Sequence, residues 1–152
     1  MSKEAEENKA LVRRFFEARV KTDLAALDKM LAPHFLSYTR AHPGQQLDRE
    51  GVKRTSLEYA AAFSHSDFNV GEQVAEKDRV VSRISGRATH DRGEFLGVAP
   101  TGRGFTTMAI FIHRIEGGQD HRGAGLGNGR PSTDGAASGA REDRARAHRA
   151  GA

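Results

Sequence analysis

The sequence has 152 residues, a formal net charge of +4 and no cysteine. Its length indicates one domain, and the absence of cysteine excludes disulfides and thiolate metal sites. The first residues are charged and no apolar run reaches the length of a signal segment or a membrane span, so we predict a cytoplasmic protein that does not bind membranes. Much of the basic excess lies near the C-terminus, which argues against a specific nucleic-acid interface in the folded part.

Three amphipathic segments in the first half of the chain predict helices. The first is Glu4–Val20, in which paired phenylalanines and aliphatic residues recur at helical spacing. A second helix begins near Thr22–Asp23, where either side chain can cap it, and ends before Pro33. A third begins after a capping Asp48 and runs to about Phe63.

The second half of the chain alternates apolar and polar residues, which predicts strands. Residues 68–76 and 79–90 form two of them, joined by a turn at 77–78, and a short strand at 35–39 precedes the third helix. The strand at 105–115 is apolar on both faces, as expected of a strand that is covered on both sides. Helices first and a meander afterwards predict an α+β fold, with helices packed on one face of a curved antiparallel sheet.

The connection between the last two strands is rich in turn-forming residues. Gly93, Gly97 and Gly102 can adopt positive φ, and Pro100 favours a turn. We therefore predict a shaped loop whose apolar side chains, including Leu96, fold back onto the domain.

This loop resembles the Gly-Glu-Phe-Leu-Gly-x-Pro-Pro-Thr-Gly phrase of the SnoaL-like polyketide cyclases, with Ala99 in place of the first proline. Other phrases of that family occur in the same order over about Glu7 to Gly118. They are residues 8–15, 32–35, 43–45, 49–51, 78–80 and 114–118. The resemblance implies the NTF2-like fold, a cone in which a curved sheet and three helices enclose a deep pocket.

The resemblance also implies a chemistry. SnoaL-like cyclases close a ring in a polyketide ester by an intramolecular aldol reaction, which removes a proton next to a carbonyl and stabilises the enolate. Side-chain acids and bases in a dry pocket perform these steps. We therefore expect a small, mainly apolar carbonyl compound as ligand, and neither a metal nor an organic cofactor.

The family usually has an Asp or His on the penultimate strand and an Asp on the last one. The register of residues 114–118 puts Phe111 at the first of these positions, and the second falls in the unmatched segment that follows. The candidate catalytic residues that remain in the sequence are His90, His113 and Tyr38.

Each candidate also has a structural interpretation. His90 is on the inward face of its strand, where its ring can hydrogen-bond the adjacent loop. His113 equally suits an interface or a half-exposed strand position, and Tyr38 can satisfy its hydroxyl on the backbone. A further set of side chains is expected to line the pocket, although its larger members also suit a closed core. This set comprises Phe15, Phe16, Phe63, Ile84, Thr107, Ala109 and Phe111.

The C-terminal segment does not match the family. From Gly117 onward small and charged residues dominate and Leu126 is the one large aliphatic residue, so the segment can bury little apolar surface. We divide the chain into a SnoaL-like domain, residues 1–118, and an atypical tail, residues 119–152, largely disordered after about residue 130. Residues 119–122, read one nucleotide later, can encode the missing family phrase, so a frameshift and a natural basic tail both explain the segment.

An aliphatic stripe is predicted on the strand at 105–115, on the face opposite the pocket. It consists of Met108, Ile110 and Ile112. Soluble monomers rarely expose such a patch, and NTF2-like relatives pair sheet against sheet, so we expect a homodimer through this stripe.

Three functions are compatible with the sequence. The first is a SnoaL-like enzyme, and the second is an isomerase, dehydratase or epoxide hydrolase on the same fold, because a fold does not fix the chemistry. The third is a non-catalytic ligand-binding or dimerisation module, which the absence of the usual acid/base residues favours.

Overall fold

The computed structural model describes residues 2–39 and 45–127. Within these residues it contains three helices and six strands, which confirms the α+β class. In chain order they are α1 (Lys3–Lys21), α2 (Leu24–Met30), β1 (Leu31–Thr39), β2 (Gln46–Asp48), α3 (Arg49–Ala62), β3 (Phe63–Glu76), β4 (Arg79–His90), β5 (Gly104–Glu116) and β6 (Gln119–Gly127). None of the described helices is both long and apolar enough to cross a bilayer.

The six strands form one curved, open sheet in the order β2-β1-β6-β5-β4-β3. Strands β3 to β5 make the predicted antiparallel meander, which β6 extends, and β2 pairs antiparallel with β1. The pair formed by β1 and β6 is parallel, so the sheet is mixed rather than wholly antiparallel. A parallel pair requires a long crossover, which the chain from β2 through β5 provides.

Side-chain caps begin all three helices. Ser2 accepts a hydrogen bond from the backbone N–H of Ala5 at 3.1 Å. Asp23 and Asp48, both predicted as caps, accept from the N–H groups three residues on, at 3.1 and 2.7 Å. These contacts satisfy backbone donors that the first turn of a helix leaves free.

The core lies between α1 and the inner face of the sheet. Val12, Phe15 and Phe16 are at most 4% exposed and pack with sheet residues that include Ile84 and Ile115. Burying a side chain of this size stabilises a fold by about 1.5–3 kcal/mol, so α1 is fixed on the sheet.

Strand β5 has two distinct faces, as its sequence predicted. Along it, half-buried and buried residues alternate with exposed ones. The outward stripe is 56% exposed at Met108, 49% at Ile110 and 37% at Ile112. The inward face therefore carries the polar and aromatic residues considered below, and the outward face is aliphatic.

Strand β6 extends the sheet beyond the predicted boundary at Gly118. Gly117 and Gly118, both at positive φ, form the turn from β5, and β6 then lies between β5 and β1. Residues 119–127 of the predicted tail thus belong to the sheet. The predicted disorder after about residue 130 lies outside the described residues, and the frameshift stays a hypothesis.

The loop between β4 and β5 is shaped by positive φ angles and by its contact with the domain. Gly97 and Gly102 have φ of 79° and 70°. Phe95 packs against Phe63, with ring centroids 5.0 Å apart. Leu96 instead has φ of 50° and is 49% exposed, so the prediction that it folds back onto the domain is wrong.

A pair of glycine variants tests how much this loop depends on backbone conformation. An added Cβ at Gly102 would meet no atom within 4 Å, so Gly102→Ala isolates the cost of positive φ. We expect it to lower the free energy of unfolding by about 1–2 kcal/mol in urea denaturation. Gly104→Ala is the control, because Gly104 has ordinary space and no positive φ. Equal stabilities for the two variants would contradict this account of the loop.

Candidate functional site

A buried histidine and aspartate meet on the inner face of the β5–β6 hairpin. His113 Nδ1 lies 2.5 Å from Asp120 Oδ2, and the two residues are 1% and 2% exposed. Asp120 pairs in register with Ile115, next to the Glu116–Gln119 pair that closes the turn, and the register shifts beyond it, between residues 114 and 115. Directly paired residues share a face, and Ile115 is buried, so this register turns the Asp120 side chain into the interior.

Three aromatic rings surround the His113 imidazole. Its centroid lies 5.3 Å from that of Phe15, 5.8 Å from that of Phe16 and 6.1 Å from that of Phe111. The contacts with the two helix residues are edge-to-face. His113 Nε2 is buried and has no hydrogen-bond partner among the described residues. An orphaned buried nitrogen is unfavourable by about 1–3 kcal/mol, and a role in catalysis is one reason why a fold retains such an atom.

The hydrogen bond between His113 and Asp120 favours one tautomer of the imidazole ring. Burial raises the pKa of Asp120, and the hydrogen bonds from His113 and from the Arg122 backbone N–H, at 3.2 Å, act against that rise. When His113 donates from Nδ1 to the carboxylate, the lone pair of the neutral ring lies on Nε2. The arrangement can therefore accept a proton at Nε2 and hold the resulting imidazolium against a carboxylate.

Other polar atoms lie unpartnered in the same interior. Gln73 Nε2 donates to the Lys9 carbonyl at 3.2 Å and to Ser82 Oγ at 3.1 Å. Gln73 Oε1 and Asn8 Nδ2 are buried without a partner among the described residues. Ser82 is paired in register with Phe111, so this polar group lies beside the aromatic surroundings of His113.

His90 makes the contact that its structural interpretation requires. Its Nε2 lies 2.7 Å from the carbonyl oxygen of Gly93, and its ring is 4.9 Å from that of Phe63. Its backbone carbonyl also accepts hydrogen bonds from Thr101 and Gly102. With these contacts His90 ties both ends of the loop to β4.

Tyr38 lies at the surface. Its side chain is 46% exposed and its hydroxyl accepts a hydrogen bond from Gln46 of β2. The adjacent Ser37 is buried, and successive strand residues point to opposite faces, so Tyr38 points away from the interior. The structure therefore does not bring Tyr38 to His113.

The residues predicted to line a pocket divide into two groups. Phe15, Phe16 and Phe111 contact the His113 ring, and further along the same sheet face lie Ile84, Thr107 and Ala109. Phe63 belongs to a second cluster with His90 and the loop.

Asp120 is the site residue that the sequence prediction missed. The sequence alone places residues 119–122 in the atypical tail, where the last-strand aspartate of the family is not matched. A two-glycine turn between alternating segments is, however, a strong hairpin signal. Extending the β5 register across Gly117 and Gly118 would have placed Asp120 opposite Ile115.

Two further histidines meet on the outside of the sheet. His121 Nδ1 of β6 lies 2.8 Å from His34 Nε2 of β1, and His121 Nε2 lies 3.2 Å from the Glu116 carbonyl. Within the described part of the chain, no three His, Asp or Glu side chains cluster as metal ligands.

Comparison with known proteins identifies relatives of this architecture. The family model of the SnoaL-like polyketide cyclases matches residues 9–122. IdmH of Streptomyces antibioticus, named as a candidate polyketide cyclase, is 27% identical over 80% of this chain and 91% of its own, with a TM-score of 0.70. AclR of Streptomyces galilaeus, named as a candidate hydroxylase, is 28% identical over 84% of this chain and 92% of its own, with a TM-score of 0.71.

A third structure, a candidate SnoaL-like polyketide cyclase from Jannaschia sp. CCS1, supports the fold alone. It is 20% identical and the match covers 84% of this chain and 90% of its own, with a TM-score of 0.75. These similarities confirm the predicted NTF2-like fold. No curated protein sequence matches the chain.

Replacing His90 tests its structural role. His90→Gln should lower the free energy of unfolding by about 1 kcal/mol, because the half-buried Gly93 carbonyl loses its hydrogen bond with the His90 ring. The loop should also become a faster site of tryptic cleavage at Arg92 and Arg103, read by mass spectrometry. The exposed His65→Gln is the control. Unchanged stability and cleavage in His90→Gln would show that this contact does not hold the loop.

Proposed function

The chain belongs to the SnoaL-like polyketide cyclase family, and from that premise we propose that it is an enzyme acting on a small, mainly apolar carbonyl compound. The reaction is the proton transfer that polyketide and ester cyclases require. The observation that carries the proposal is the buried His113–Asp120 pair, whose Nε2 is unpartnered among the described residues. Two relatives above 25% identity are themselves named as a candidate cyclase and a candidate hydroxylase.

His113 is the proton-transfer group in this proposal. Its Nε2 takes the proton from the carbon next to the substrate carbonyl, and the C–H electron pair becomes the enolate. The enolate carbon attacks a second carbonyl of the same molecule and forms the new C–C bond. The resulting alkoxide recovers the proton from the imidazolium, so no net oxidant, reductant or cofactor is required.

Asp120 acts through His113 as a positioning residue. Its carboxylate keeps the Nδ1–H tautomer and stabilises the imidazolium that forms during the reaction. The rings of Phe15, Phe16 and Phe111 exclude water, and in such a site the attraction between imidazolium and carboxylate is stronger than in solution.

Related reactions and simple binding are the rivals of this proposal. Isomerases and dehydratases on the same fold need the same proton-transfer group, and epoxide hydrolases need a base for water. A binding module needs no proton-transfer group. A measurable reaction and the dependence of its rate on pH therefore distinguish the enzymes from a binding module. A cytoplasmic location and independence of cofactors stay predictions.

Variants of the pair test the catalytic role. The probe reaction is exchange of the α-protons of an aryl methyl ketone in D₂O, followed by NMR. His113→Gln should slow it by about 10²-fold or more, as expected for the loss of a general base. Asp120→Asn should slow it comparably, because its amide can donate to Nδ1 and move the ring proton to Nε2.

Stability separates this role from a structural one. Burial raises the pKa of Asp120, so its charged form destabilises the fold at neutral pH. A carboxyl whose pKa is higher in the folded than in the unfolded state stabilises the fold at low pH, and this stabilisation is lost as the pH rises through the folded-state pKa. Asp120→Asn should therefore melt at or above the wild-type temperature at pH 7 while losing activity. An Asp120→Asn or His113→Gln protein that loses stability and keeps the exchange rate would overturn the proposal. His90→Gln, which changes a histidine outside this pair, is the active control.

We also propose a homodimer through the outward stripe of β5. Val81 of β4 pairs in register with Ile112 and is also exposed, so the stripe continues across the sheet as an aliphatic patch with Met108 and Ile110. A two-fold interface requires only that such a patch be self-complementary.

A charge at the centre of this stripe tests the assembly. Ile110→Glu should give monomer or aggregate in sedimentation velocity, because pairing would bury an unpaired carboxylate. Leu57→Glu is the matched control, since Leu57 is equally exposed but lies on α3. Wild-type protein that sediments as a monomer at micromolar concentration would refute the dimer.

A further inference from the structure

Arg19, in the last turn of α1, is held by two hydroxyls of α3. Its Nε donates to Ser56 Oγ at 3.1 Å, and its Nη2 donates to Thr55 Oγ1 at 3.3 Å. Both hydroxyls donate in turn to the Val52 carbonyl, at 2.8 and 3.0 Å. These bonds fix the position of the guanidinium, but neutral hydroxyls do not balance its charge.

Other enclosed basic side chains of the protein have carboxylate partners. Lys9 lies 3.2 Å from a Glu6 oxygen, and Lys53 lies 2.8 Å from an Asp28 oxygen. Arg19 has no carboxylate within ion-pair distance among the described residues, and no carboxylate contributes to its electrostatic surroundings there. It is therefore a half-buried cation without a countercharge in the described part of the chain.

The remaining neighbours of Arg19 do not supply that charge. Burial lowers the pKa of the guanidinium, and burial raises the pKa of Tyr59 to about 12, so the nearby phenol is neutral at physiological pH. The C-terminal end of α1 offers a partial negative charge, which Lys21 in the same turn receives as well. Nη1 has no acceptor among the described residues, so the guanidinium retains donors for a ligand.

Arg19 and His113 contact the same aromatic ring. The guanidinium carbon of Arg19 lies 5.9 Å from the centroid of Phe15, and the His113 ring lies 5.3 Å from it. Phe15 and Arg19 are one helical turn apart, on one side of α1. The guanidinium and the imidazole are therefore separated by no more than one aromatic side chain.

We propose that Arg19 is an anion-binding residue and that the substrate carries a carboxylate, held by Arg19 while His113 acts on the carbon next to a carbonyl. The role of His113 in this statement rests on the proposed function, and the anion site does not. Nη1 and Nη2 can donate two parallel hydrogen bonds to a carboxylate, a geometry that lysine lacks. The ligand class is thus an aromatic or alicyclic keto acid rather than a neutral ester.

A pair of nearly isosteric probes tests the anion site. Naphthylacetate and the neutral naphthylacetamide have the same aromatic body, and their binding can be measured by calorimetry and ligand-observed NMR. Wild-type protein should bind the acid about 10- to 100-fold more tightly, as expected for a charge-assisted pair. Arg19→Gln should abolish this preference, and Arg19→Lys should keep part of it. Arg14→Gln, an exposed change on the same helix, should keep all of it.

The outcomes distinguish this inference from the proposed function. If His113→Gln keeps both the exchange activity and the preference for the acid, the proposed function fails and the anion site stands. If His113→Gln loses activity but Arg19→Gln binds the acid as tightly as wild type, the anion site fails alone. Equal binding of both probes to wild type, or no binding of the acid at millimolar concentration, also overturns the anion site.

Thermal melting separates ligand binding from a structural link between α1 and α3. Arg19→Gln removes a charge without a countercharge and keeps a donor for Ser56, so its melting temperature should equal or exceed that of wild type. A lower melting temperature together with an unchanged preference for the acid would show that Arg19 is structural and would overturn the proposal.

Discussion

The packing of α1 against the inner face of the sheet is the contact on which the rest of the structure depends. Phe15 and Phe16 fill the core and also provide two of the rings around His113. Because Phe15 contacts both Arg19 and His113, the position of a single helix sets the distance between the guanidinium and the imidazole. Stability and the proposed chemistry thus use the same side chains, and a change that tilts α1 alters both.

The interior contains more polarity than stability requires. A buried ion pair is weak evidence for stability, because desolvation opposes the attraction between its members. The pair of His113 and Asp120 is such a case. Burial raises the pKa of the Asp120 carboxyl, and His113 Nε2 has no partner among the described residues. Gln73 and Asn8 add unpartnered amide atoms. Buried polar atoms without partners are typical of binding sites, where a ligand supplies the missing hydrogen bonds.

Much of the fold was predictable because its signals are local. Asp23 and Asp48 begin helices as capping residues do, and the alternation of β5 separates the stripe of Ile110 from the face of His113. The parallel pairing of β1 with β6 and the outward position of Tyr38 were not predictable in this way, because both depend on which strands become neighbours. The role of Arg19 was not predictable either. In the sequence it is an ordinary basic residue of a helix, and only the packing of α3 against α1 gives it hydroxyl partners and no carboxylate among the described residues.

The apolar content of a segment also proved a poor guide to whether it joins the sheet. Residues 119–127 have few large side chains, yet β6 occupies the centre of the sheet, where backbone hydrogen bonds to both β1 and β5 are available. At Gly123 an added Cβ would lie 3.3 Å from Ser37 Oγ and 3.4 Å from the Phe35 ring, so the close approach of β1 favours glycine there. A small residue at that position and a carboxylate at Asp120 suit this interior whether the segment arose by frameshift or by descent. The strand is therefore specified by the space between its neighbours rather than by apolar surface of its own.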